Sequence, residues 1–145
     1  KQMVSDELCR KGGTFRTIHD PEGDASIALI FFIPDQDRTS RVVSALADEN
    51  IPATKLYQEL EYLPHDHIDL HVYTAWVPIL RQRGWSPQGG PWRRHPRTIE
   101  YSEGMCPRTM DLLRRAIHID ISPELTLTQV EQMAEGILKV LRAVL

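Results

Sequence analysis

Residues 26–33, Ser-Ile-Ala-Leu-Ile-Phe-Phe-Ile, put bulky apolar groups on both alternations of an extended chain. A strand with only one buried face would show polar residues at every second position, so this run predicts a central strand covered above and below. It is far too short to cross a bilayer. Pro and Gly of the Asp20–Gly23 turn precede it and Pro34 follows it, which fixes its length on both sides. Thr14 to His19 alternates bulky and polar residues, and together with that turn it predicts a hairpin leading into the central strand.

The remaining elements follow from periodicity and capping chemistry. Residues 2–13 read as the tail of a helix, with Met3, Val4 and Leu8 near one face and Gly12 and Gly13 offering the left-handed exit common at such ends. Val42, Val43, Ala45 and Leu46 form a helical stripe that Asp35 or Asp37 can cap, ending near Asn50. Ile51, Pro52 and the Ala53–Tyr57 run return as a strand, giving β-β-α-β. The 71–83 stretch predicts a short helix that Pro78 kinks or stops, and residues 84–97, with Trp85, Trp92, Pro87, Pro91 and Pro96, predict a loop. Pro107 suits a first helical position, starting a helix that runs to about Arg115, and Ala116–Ile121 alternates as a strand. Last, Thr126 and Gln129 have capping-box spacing. Val130, Met133, Ala134, Ile137, Leu138 and Leu141 then share one face of a helix whose opposite side carries Glu131, Glu135, Lys139 and Arg142. The expected fold class is α/β or α+β, in one domain.

Composition narrows the function classes. With 145 residues, 41% of them apolar, and a formal charge of −3, the chain suits a compact soluble domain. Its charges are spread out, and the local basic cluster of Arg93, Arg94 and Arg97 falls short of the stripe that a nucleic-acid backbone requires. Neither nucleic acid nor a membrane is an expected partner. Cys9 and Cys106 are the two cysteines, without metal-ligand spacing, which fits a reducing cytoplasm.

Three groups of residues invite a chemical reading. His65, Asp66, His67, Asp69 and His71 could hold zinc, yet Leu70 displaces the last histidine from the His-x-His-x-Asp-His pattern of metallo-hydrolases, so a solvated or substrate-facing loop is preferred to a metal site. A standalone metal-binding module using His65, His67 and His71 is the alternative function. Cys106 precedes a helix, but Leu112 stands where a phosphatase-type loop needs Arg, which favours a small capping residue. His118, between Ile117 and Ile119, reads as a structural histidine. No phosphate-cradling glycine motif and no Gly-x-Ser-x-Gly occurs.

The segment Cys106–Met133, CPRTMDLLRRAIHIDISPELTLTQVEQM, preceded by Ala45–Tyr57 and Asp69–Trp76, resembles the carboxy-terminal part of DegT-type sugar and cyclitol aminotransferases, fold-type I enzymes that use pyridoxal 5'-phosphate. The most specific element is the ordered series Cys-Pro, helix, Ile119–Thr126, helix. The resemblance implies a small carboxy-terminal domain over residues 14–145, with 1–13 ending an interdomain helix, and a short, mainly antiparallel sheet with helices on one face. It implies amino transfer from glutamine or glutamate to a keto sugar or keto cyclitol, in a cytoplasmic homodimer. His71 and Tyr73 are its implied substrate-binding residues, with positioning and hydroxyl-binding roles. The cofactor lysine, its pyridine-nitrogen acid and its phosphate site belong in such enzymes to an amino-terminal domain. Lys1, Lys11 and Lys139 are poorly placed for that lysine and Lys55 is ambiguous. With Lys1 in place of an initiator Met, the expectation is a fragment that catalyses nothing alone and whose catalytic residues lie upstream. Trp76 is expected in the core, and Trp85 and Trp92 as loop anchors or pocket walls.

Overall fold

The computed structural model describes residues 2–57, 72–86, 90–102 and 104–145. The chain divides into two compact units, one formed by Lys1–Leu56 with Asp111–Leu145 and the other by Tyr57–Met110.

The first unit is an antiparallel sheet with helices on one face. Its helix α1 (Gln2–Arg10) ends where Gly12 adopts φ 80° and Gly13 donates its amide to the Leu8 carbonyl, the left-handed exit expected of paired glycines. Strand β1 (Thr14–Phe15) is shorter than the predicted 14–19 run, and Asp20 closes the connection by accepting the Glu22 and Gly23 amides. Strand β2 (Ala28–Phe32) then pairs back on β1, so the hairpin forms as expected.

A single 3₁₀ turn at Gln36–Arg38, capped by Asp35 through the Asp37 amide, feeds helix α2 (Thr39–Asp48), and strand β3 (Ala53–Lys55) follows. Helix α4 (Pro107–Arg115) leads into strand β4 (Ala116–Asp120), and helix α5 (Leu127–Val144) closes the chain. The strands lie in the order β1-β2-β4-β3, every neighbour antiparallel. This is an α+β fold, with β2 and β4 as the two interior strands.

Register decides which side chains meet. Phe31 lies opposite both Phe15 and Ile117, and Leu29 opposite Ile119, so these residues share one face. That face packs against Val4 and Leu8 of α1, Val42 and Leu46 of α2, and Ile137, Leu138 and Leu141 of α5, which together make the hydrophobic core. Phe15 and Phe31 meet edge-on, centroids 6.0 Å apart and planes at 67°. Full burial of Phe31 contributes about 2 kcal/mol or more by apolar transfer alone.

The expectation of a strand covered on both faces holds for one face only. Ile30 and Phe32, on the second face beside His118 and Ala116, are half-buried, whereas Phe31 and Ile33 are fully buried. An apolar run reports hydrophobicity on both alternations but not the extent of cover on each.

Polar groups tie the helices together. Glu7 of α1 is buried and its carboxylate accepts from Arg10, at 2.6 Å, and from Arg142 of α5, at 3.1 Å. Arg38 donates to the Val144 and Leu145 carbonyls, placing a cation at the carboxy end of α5 where the helix dipole favours it. Thr39 is buried and donates its hydroxyl to the Arg114 carbonyl. Thr126 and Gln129 form the predicted capping box, at 3.3 and 2.9 Å.

In the second unit the described residues before Pro107 form short helices and turns, and Pro107–Met110 begin α4. A 3₁₀ turn at Tyr73–Ala75 precedes helix α3 (Val77–Leu80), and another 3₁₀ turn covers Pro91–Arg94. Pro78 neither kinks nor stops the helix. It sits in the first turn, where its missing amide hydrogen has no intrahelical acceptor to lose.

Candidate functional site

Tyr73, one of the two residues implied to contact substrate, opens the 3₁₀ turn after Val72 and is half-buried. Val72 and Thr74 on either side of it are buried, so the turn presents the phenol from a packed base. A half-buried phenol can donate or accept one hydrogen bond while its ring stays on apolar surface, as recognition of a sugar hydroxyl requires. His71 lies outside the described residues, as do His65, Asp66, His67 and Asp69. Among the described residues, no three His, Cys, Asp or Glu side chains converge as metal ligands.

Trp76 departs from expectation, being 43% exposed and not in the core. The 3₁₀ turn ahead of α3 rotates it off the stripe that a continuous helix over 72–80 would have formed. Trp92 is anchored, its indole nitrogen donating to the Tyr101 hydroxyl at 3.3 Å. Trp85 is fully exposed, so it neither anchors the loop nor walls a pocket among the described residues. Gln82 holds the same region by donating its amide to the Ile99 carbonyl. Arg93, Arg94 and Arg97 are exposed, and no ion pair among the described residues engages them.

The described lysines, Lys11, Lys55 and Lys139, do not fit a covalent attachment to pyridoxal phosphate, which needs an amine desolvated enough to lose its proton. Lys55 donates to the Ser40 hydroxyl at 3.2 Å, and Lys139 is exposed and paired with Glu49 at 2.6 Å. Lys11 is half-buried in the polar exit of α1. No step of cofactor chemistry is therefore assigned to these residues.

His118 stands in β4 with Nε2 3.5 Å from Asp120, on the half-covered second face of the sheet, in keeping with a structural histidine. Cys106 is half-buried and directly precedes α4, and Cys9 is exposed. The side-chain hydrogen bond from Arg115 is the main cause that lowers the pKa of Asp111 below the ordinary aspartate value; desolvation opposes it, and the charges of Arg115 and then Arg114 lower it further. Arg115 also donates to the Ile33 carbonyl, so this pair braces the end of β2 and has a structural role.

No protein-family model matches the chain, and no curated protein matches it. Among the described residues no helix is long and apolar enough to cross a membrane. A functional reading rests on the ordered motifs and on the elements they build.

Proposed function

We propose that this chain is the carboxy-terminal small domain of a DegT-type aminotransferase, moving an amino group from glutamine or glutamate to a keto sugar or keto cyclitol in a homodimer. The observation that carries the reading is how the most specific part of the resemblance folds. Cys106-Pro107 opens α4, Ile119 and Asp120 end the interior strand β4, and Thr126 caps α5. An antiparallel α+β domain with helices on one face is the architecture that the resemblance implies for residues 14–145.

Pyridoxal phosphate, when bound, supplies an electron sink for the amine carbon, and the lysines described in this chain do not fit its covalent attachment. The part assigned to this domain is recognition. Tyr73 would hold a substrate hydroxyl and His71 would orient the same substrate, with the buried Val72 and Thr74 fixing the backbone of the 3₁₀ turn.

The test uses the full-length polypeptide that contains this domain. Stoichiometric vitamin-B6 absorbance and turnover of a keto sugar or keto cyclitol are expected, and Tyr73→Phe should raise KM about tenfold by deleting one hydrogen bond to substrate while leaving the bound cofactor unchanged. Absence of the cofactor from the purified full-length protein overturns the assignment. Zinc bound stoichiometrically through His65, His67 and His71, measured by elemental analysis, would replace it with the metal-binding alternative.

A further inference from the structure

In the first unit a cavity of about 180 Å³ opens between the sheet and helix α5. Its walls are almost wholly apolar, with Phe15, Leu29, Ile121 and Met133 forming the body, and its polar groups are Asp24 and Ser26. A dry apolar cavity of about 150 Å³ accommodates one benzene-sized ring, so this one takes a ring and a short arm.

The carboxylate sets the chemistry of that arm. Asp24 is 18% exposed, and Arg16, the cation paired with it, stands 3.9 Å away, the outer limit of an ion pair. Among the described residues its other side-chain contacts are the amide and hydroxyl of Ser26, each at 3.3 Å. A carboxylate offers about four acceptor positions, so capacity remains for a donor arriving from the cavity. Ser26 holds this arrangement in a left-handed conformation, φ 52°, which a serine adopts at a cost of about 1 kcal/mol or more.

The geometry points to a binding site for a small aromatic amine, its ring resting against Phe15, Leu29, Ile121 and Met133 in this half-open cavity and its ammonium group donating to Asp24. This site is independent of the aminotransferase reading. Opposite charge in an apolar surround distinguishes this ligand from neutral or anionic rings of the same size, because only the ammonium repays the desolvation of the carboxylate.

Calorimetric titration of the unaltered 145-residue chain with benzylammonium, benzyl alcohol and benzoate tests the assignment. Benzylammonium should bind saturably with a Kd on the order of 1 mM, and benzyl alcohol about tenfold more weakly, the difference expected for one charge-assisted hydrogen bond. Benzoate should not bind. Asp24→Asn should remove the preference for the cation, and Ala134→Leu, which fills the cavity from α5, should abolish binding of both ligands. No saturable binding of benzylammonium, equal affinity for the alcohol, or binding that survives both substitutions would each overturn the proposal. Far-UV circular dichroism checks that the variants fold, and the three-ligand comparison on the unaltered chain decides the question without them.

Discussion

Two exposed arginines share one buried carboxylate, and the sharing predicts strongly non-additive mutations. The Glu7 side chain is 4% exposed, while Arg10 and Arg142 are 67% and 61% exposed, and both donate to the same oxygen, Oε2. Deleting either arginine leaves Glu7 with one charged partner, so Arg10→Ala and Arg142→Ala should each cost about 0.5–1.5 kcal/mol, the lower part of the range for charge-assisted bonds because the guanidinium heads are solvated. Deleting both strands a carboxylate away from water, and that should cost about 3–5 kcal/mol. The double variant should therefore exceed the sum of the singles by about 1–3 kcal/mol. Glu7→Gln provides the control: it leaves two solvated cations and a neutral amide, so it should cost only about 1–2 kcal/mol. Urea unfolding followed by far-UV circular dichroism, with slopes compared across the set, measures all four values. Additive arginine variants, or a glutamine variant as damaging as the double, would show that Glu7 draws its stabilisation from water and not from this pair.

Three further outcomes follow from single contacts. Gly13→Ala should destabilise by about 1–3 kcal/mol in urea, because a Cβ there would lie 2.5 Å from Leu8 Cδ1 and 2.6 Å from the Phe32 carbonyl, and the backbone oxygen cannot move aside without disturbing β2. Thr126→Ala should cost about 1 kcal/mol by leaving the Gln129 amide uncapped, while Thr126→Ser should recover most of it in the same measurement. The Asp111 carboxyl should titrate below the ordinary aspartate range by carbon-detected NMR, and Arg115→Ala should return it upward. Because that pKa is depressed in the folded state, its contribution to stability is present above the unfolded-state pKa and is lost as pH falls through the folded-state one.

Much of the local structure was legible before any coordinates. The apolar run at 26–33 forms β2, Pro107 starts α4, and the Thr126–Gln129 box starts α5, because strand alternation, a proline at a first helical position and a cap each act within a few residues. Expectation failed where several local signals competed. In the 71–83 stretch Pro78 looked like a helix breaker, but the tight turn at Tyr73–Ala75 resets the helix start and leaves Pro78 in a first turn, with Trp76 turned outward. Tyr73 as a site residue was legible only through the resemblance, since nothing in its spacing marks a sugar contact. The cavity beside Asp24 was not legible at all, because its walls come from α1, the hairpin, the end of β4 and α5.

By itself the sequence determined the kinds and starts of the main elements and an α+β composition, since these follow from side-chain period and backbone capping. Only the tertiary structure decided that β4 inserts between β2 and β3, that the helices α1, α2 and α5 gather on one sheet face, and that Arg142 reaches Glu7 across 135 positions. Those outcomes depend on closing long loops around a shared core, where the favourable contacts exist only once distant segments have already met.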